Sequence, residues 1–350
     1  MITPKTIKRA SLQVSKNLGA YNLLLNSEWR RKRLLILCYH GIALEDEHEW
    51  QPAMYMNVAA FEARLKILKS GGYCVLPLAE ALQRMYAGDL PERSVAITFD
   101  DGAYDFYKQA HPLLKAYNFP VTVYITTYYC DYNKPVFGMI CSYMMWQKRG
   151  TTVDGRKIIG ADFTMNLANE NGRDAALKVI ADFVEKENLS APEKDGVARR
   201  LASCLGVDYD QLLAKRVLHI MNREEVETLA DQGVDFQLHT HRHRTPLDSK
   251  LFHREIADNR RYIQDMTGAC ADHFCYPSGT YKPEFLPWLN EDKVVSATTC
   301  DPDIASAQSH ALMLPRLVDH SRLAPIEFEG WLTGISSFLP RQRSYADAAD

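Results

Sequence analysis

Two short stretches hold residues that can do chemistry together. Residues 96–102 read AITFDDG, an apolar run that ends in Asp100 and Asp101. Residues 236–246 read FQLHTHRHRTP, in which His239 and His243 stand four apart. Two imidazoles at that spacing converge on one ion where the chain turns, and neutral imidazole suits zinc, iron, cobalt or nickel. Two histidines leave the ligand shell incomplete; one carboxylate makes it a facial set with positions open for water. The aspartate pair supplies that carboxylate with one to spare, and the spare can accept a proton from water. A cation between them also explains how two adjacent acids stay ionised. The residue types leave open which aspartate has which task. A third stretch, FCYPSGTY (274–281), carries a Pro277-Ser278-Gly279 turn whose backbone N–H groups can face an oxyanion. Tyr276 and Tyr281 are expected to wall a sugar-sized pocket there. Taken singly, each piece has a plain alternative: a solvated acidic turn, a histidine-rich loop, a Pro-Gly turn.

Positioning these residues requires strands that end at one place. The run LLILCYHG (34–41) reads as a buried parallel strand ending at Tyr39-His40-Gly41. Residues 57–71 read as a helix, with Asn57 as its N-cap and Gly71 as its stop. YCVLPL, SVAITFDDG and VTVYITTYY then alternate as strands with the helices LAEALQRMYAG and YDFYKQAHPLLKAYN. That grammar predicts an α/β fold with a parallel sheet, open or closed into a barrel. In such folds function gathers at the C-terminal strand ends, where His40, Asp100 and Asp101 fall. Residues 131–217 read as a polar, helix-rich insertion that serves as a lid or a substrate-selecting wall. The alternation resumes near residue 218 and runs to about residue 335, leaving 336–350 as a flexible tail.

Composition narrows the function. The 350 residues are 46% hydrophobic and 24% charged, with a formal net charge of −3, so a globular protein without a basic nucleic-acid footprint is expected. The eight cysteines are scattered without CxxC spacing and read as buried free thiols. No signal-like apolar core or bilayer-length run is seen, so a cytoplasmic protein is expected. Residues 1–32 form an N-terminal helix and linker ahead of a main domain at 33–335. The helix, at 5–25, places Ile7, Val14, Leu18, Tyr21 and Leu25 on one face. That face is expected to pack on the main domain, with peripheral contact to the inner face of a membrane as the alternative.

Together the stretches resemble the metal-dependent polysaccharide deacetylases, carbohydrate esterase family 4. TFDDG (98–102) is similar to that family's first motif, HTHRH (239–243) to its second, and CYPSG (275–279) to a variant of its third. The resemblance covers roughly residues 33–130 and 218–320. It implies a distorted (β/α) barrel of about seven strands, with Asp100 as general base and Asp101, His239 and His243 as ligands. Thr240 would brace the histidine loop. The ion and the Ser278 N–H would stabilise the oxyanion. The implied metal is one divalent ion, zinc by default, with cobalt, nickel or iron also accepted. The implied reaction is removal of an N-acetyl group from an amino sugar in a glycan or its precursor, as in surface and exopolysaccharide biosynthesis. The partner would be an N-acetylated sugar, an oligosaccharide or a lipid-linked glycan precursor. Two departures stand out. Cys275 replaces the arginine that steadies the base, and Arg316 in LPRL is the candidate substitute. The late Leu-x-His motif is missing, and His40 takes the general-acid role, as in the early YH segment of bacterial poly-N-acetylglucosamine deacetylases, whose motif order is permuted. His320 is a second candidate. Rival readings are a metal-dependent C–N hydrolase of a non-sugar amide and a non-catalytic carbohydrate-binding barrel.

Overall fold

A computed structural model describes residues 4–339; the expected tail falls mostly outside them, from residue 340 on. Eight strands run parallel: β1 Arg33–Tyr39, β2 Cys74–Val75, β3 Ser94–Phe99, β4 Thr122–Ile125, β5 Asp235–Leu238, β6 His273–Cys275, β7 Ser296–Thr298 and β8 Leu317–Val318. Seven of them follow one another in the order β7-β6-β5-β4-β3-β1-β8. The short β2 shares the outer edge of β3 with β4, meeting its first half. The two ends of the curled sheet meet through one parallel bridge, Thr298 to Leu314, just ahead of β8. The architecture is thus the distorted (β/α) barrel.

Strand alternation sorts the side chains into two layers. Leu35, Leu37, Val95, Ile97, Val123 and Phe274 point outward and pack under the helices. Leu34, Ile36, Ala96, Tyr124, Cys275 and Leu314 fill the interior. Continuing that inner register toward the C-terminal mouth gives Cys38, Thr98 and Asp100. The interior therefore changes from aliphatic to polar where the strands end.

Local signals set most element limits. The Asn57 side chain accepts the Ala60 N–H and starts helix Val58–Ser70. Gly88, at φ 78°, ends helix Leu78–Ala87. Other expectations need correction. Tyr128 and Tyr129, read as strand, lie in helix Tyr128–Tyr132, because β4 stops at Ile125. The N-terminal helix is two pieces, Pro4–Asn17 and Ala20–Leu25, broken where Gly19 turns at φ 80°. Its buried contacts are Leu12 and Tyr21, whereas Ile7, Val14 and Leu18 are exposed. The region between β4 and β5 is not simply polar. Its helix Phe137–Gln147 is largely buried, and with Ile180, Val197, Leu201 and Leu205 it forms a second hydrophobic core beside the barrel.

Candidate functional site

The strand ends bring the predicted ligand atoms together. An Asp101 carboxylate oxygen, His239 Nε2 and His243 Nε2 all lie within 4.8 Å of one another. Each Nε2 is 3.1 Å from Asp101 Oδ1. Adjacent residues of a continuing strand would face opposite ways, but Asp101 and Gly102 both adopt left-handed backbone, at φ 70° and 78°. The turn swings the second carboxylate back over the mouth. Only glycine fits the next position, because a Cβ at Gly102 would stand 2.5 Å from Ile125 Cγ1.

The histidine loop is held as closely. His239 Nδ1–H donates to the Cys275 carbonyl at 2.9 Å, which leaves the Nε2 lone pair for an ion. Its backbone N–H donates to Asn259 Oδ1, and Asn259 Nδ2 donates to the Ile125 carbonyl and Thr127 Oγ1. Thr240, buried and at φ 61°, accepts the Arg244 N–H through its hydroxyl at 3.0 Å. Buried Glu255 accepts the Arg242 N–H and both arginine side chains, Arg242 and Arg244. His241 turns away: its Nδ1 meets Thr127 Oγ1 and its ring lies against Tyr262. Asn259 and Glu255 went unrecognised in the sequence, since both sit mid-helix with no motif around them.

Asp100 sits in a different environment. It is buried, and Arg316 clamps it with two N–H···O bonds of 2.7 Å. Arg316 itself has no exposed surface and also donates to Thr98 Oγ1 and the Thr299 carbonyl. Burial alone would raise the Asp100 carboxyl, but the Arg316 guanidinium holds it well below the usual carboxylate range. Two thiols complete its surroundings. Cys38 and Cys275 donate to Asp100 Oδ2 at 3.4 and 3.3 Å, and burial pushes both thiols up so that they stay protonated. Cys275 thus reaches the carboxylate as a neutral donor, although it cannot supply a charge.

The remaining candidates separate. His40 Nε2 is 3.9 Å from Asp100 Oδ2, and its side chain is partly open to the mouth. His320 is pushed down to about 4, by burial first and then by the Lys5 and Arg322 charges. Its Nδ1 accepts the Arg322 N–H, so it is a neutral ring occupied with its own loop. Ser278 is exposed on the turn after β6, at φ 56°. Tyr276 corrects an expectation. It is 1% exposed, its ring packs on Phe274, and its hydroxyl donates to the Leu312 carbonyl. It follows inward-facing Cys275, so alternation sends it to the outer layer, away from any ligand.

The donor set fits a divalent metal. One carboxylate and two imidazoles converge, one imidazole is locked in the right tautomer, and a second, ionised carboxylate stands beside them.

Comparison with known proteins points the same way. The sequence model of the polysaccharide deacetylase family matches residues 87–151 and 167–295. A poly-beta-1,6-N-acetyl-D-glucosamine N-deacetylase of Escherichia coli strain K12 is 30% identical over 100 residues, 28% of this chain and 15% of that protein. A Staphylococcus aureus protein of the same name (strain MSSA476) is 43% identical over 72 residues, 21% of this chain and 25% of that protein. The chain thus matches only a minor part of these relatives. Among solved structures, the Streptococcus pyogenes deacetylase PplD, in complex with acetate, superposes with a TM-score of 0.57 at 19% identity. That likeness covers 86% of this chain and 98% of that one, and it concerns the fold.

Proposed function

Since the chain belongs to the polysaccharide deacetylase family, we propose that it is a carbohydrate N-deacetylase that hydrolyses the acetamide of an amino sugar in a glycan or glycan precursor. One observation carries the reading: the Asp101–His239–His243 cluster stands beside an Asp100 that Arg316 keeps ionised. A divalent ion held by Asp101, His239 and His243, zinc by preference, would acidify water and polarise the acetamide carbonyl. Asp100 accepts the proton of the attacking water at its carboxylate. The Ser278 N–H faces the developing oxyanion. His40 Nε2 delivers a proton to the departing amine. Acetate and a free amino sugar result.

The test is metal analysis of the purified protein together with acetate release across a panel of N-acetylated sugars. Metal at one equivalent with acetate release supports the reading. Ammonia or ring-opened products from other amides, without acetate, would assign a different C–N hydrolase; sugar binding without turnover would assign a binding barrel. Asp101→Ala and His243→Ala are each expected to lose the metal and, with it, acetate release. Metal affinity is also expected to fall below neutral pH, because ligation requires neutral imidazoles and His239 holds its proton more firmly than usual.

The same proposal extends to location: a cytoplasmic enzyme at the inner membrane face, acting on a lipid-linked precursor. Its support is four exposed apolar side chains in the N-terminal segment, Ile7, Val14, Leu18 and Leu23. Attraction would rest mainly on those apolar side chains, since two of the basic groups beside them are already ion-paired. Lys5 donates to the Arg322 carbonyl, while Arg9 and Lys16 pair with Glu327 and Glu329. No described helix is long and apolar enough to cross a membrane. Wild type is expected to float with anionic phospholipid vesicles, and the Val14→Asp/Leu18→Asp double variant to stay behind. Equal flotation of the two would remove the membrane reading.

A further inference from the structure

The barrel mouth holds a second group of ligand atoms, one of which, the Cys38 thiol, has no part in the hydrolysis. Cys38 Sγ, His40 Nε2 and an Asp100 carboxylate oxygen all lie within 4.8 Å of one another. Cys38 Sγ is 3.4 Å and His40 Nε2 3.9 Å from Asp100 Oδ2. None of the three belongs to the Asp101–His239–His243 cluster.

The strand ladder builds this group. Tyr39 pairs with Phe99 in the parallel register of β1 and β3, and the Asp100 N–H donates to the Tyr39 carbonyl at 2.9 Å. Cys38 and His40 are two apart along that chain, so both face the side that Asp100 faces. Cys38 and Asp100 are buried, whereas His40 is partly open to the mouth. An ion therefore meets the imidazole first, with the thiol and the carboxylate behind it. The spacing suits a single ion. Ligand atoms around a tetrahedral zinc stand about 3.4–3.6 Å apart, from its usual bond lengths. The observed separations begin at that value and run wider, which favours an ion somewhat larger than zinc. Two neighbouring sulfurs are left out of the set. Cys275 Sγ accepts Arg316 Nη2–H at 3.0 Å, and Cys300 Sγ lies 3.9 Å from the same nitrogen.

We propose that Cys38, His40 and Asp100 form a second cation site, for a thiophilic divalent ion, and that an ion there switches the enzyme off. The inhibitory part rests on the deacetylase reading. Thiolate and imidazole select a soft or borderline ion over magnesium or calcium. The Cys38 S–H bond breaks as the sulfur–metal bond forms, and the proton leaves to solvent. The ion then occupies the oxygen that accepts the proton of water and the nitrogen that delivers one to the amine. Both proton-transfer groups are blocked at once, while the first metal keeps its own three ligands. Arg316 beside Asp100 repels a cation, so the second site is weaker than the first and fills after it.

The test titrates cadmium into zinc-loaded wild type, Cys38→Ser, Cys38→Ala and Cys270→Ser, the last removing an exposed thiol as a control. Cadmium is the probe because its bond to a thiolate absorbs in the ultraviolet, and the first site has no sulfur ligand. Wild type is expected to take up a second equivalent of metal and gain the thiolate band while acetate release falls in step. Cys270→Ser is expected to behave alike. Both Cys38 variants are expected to lose the Cys38 band. The cadmium concentration that halves their own uninhibited rates should rise by at least about tenfold. A band and a sensitivity that persist in both Cys38 variants, or that vanish in Cys270→Ser, overturn the site. A Cys38-dependent band without loss of rate overturns the inhibition. Acetate release from no N-acetylated sugar, with the Cys38-dependent band still present, overturns the deacetylase reading and keeps the cation site.

Discussion

Asp100→Asn is expected to keep its metal and lose acetate release by about 10²–10⁴-fold, the usual worth of a positioned general base. The two halves of that result come from geometry. The three ligand atoms belong to Asp101, His239 and His243, and none belongs to residue 100 in that cluster. The amide oxygen of asparagine still accepts one Arg316 N–H, but it cannot take up a proton near neutral pH. The charge of Arg316 is then buried without its counter-ion, so a lower unfolding midpoint is expected as well. Metal analysis, steady-state acetate release and a urea melt on one preparation separate these effects. Full activity in a metal-loaded Asp100→Asn enzyme would remove Asp100 as the base.

Arg316→Met is expected to be the most destabilising single change in the site, by about 3–5 kcal/mol, because it strands a buried carboxylate. Its second effect is on pH dependence. In wild type, Arg316 holds Asp100 below its ordinary value, so the carboxylate is ionised throughout the neutral and mildly acidic range. The contribution of the pair to stability is present above the ordinary aspartate value and is lost only as pH falls through the depressed one. Without the guanidinium, burial becomes the largest influence and pushes the carboxyl up, against the weaker opposing pull of His40 and His239. The acid limb of the rate profile should therefore move to higher pH, with partial recovery in alkali. Arg316→Lys is expected to restore the charge without the two-pronged bond, and so to recover part of the stability. An unmoved acid limb in Arg316→Met would show that Asp100 does not govern it.

Much of this arrangement was legible because it is local. AITFDDG announces a strand that ends in acids, and HTHRH announces two imidazoles that a turn can converge. Asn57 and Gly88 mark helix limits by their own backbone chemistry. The strand–helix alternation carries the fold class. Tyr276 was misread although alternation could have placed it: with Cys275 facing inward, its neighbour must face out. Ile7, Val14 and Leu18 do lie on one face, but periodicity cannot tell which face of a helix meets the body. Of the expected face Tyr21 is buried, and Leu12 takes the place of Ile7, Val14 and Leu18.

Residue types and their spacing determined, by themselves, that this chain carries a carboxylate pair and a histidine pair at the ends of strands in an α/β fold. Only the tertiary structure decided how the two aspartates differ. Asp101 turns through a left-handed backbone to meet the histidines. Asp100 stays in the barrel register and meets Arg316, 216 residues away in the chain. That contact exists because β8 lies beside β1, and Leu314 closes the ring against β7. The closed ring carries the guanidinium into the interior, where low dielectric gives the ion pair its strength.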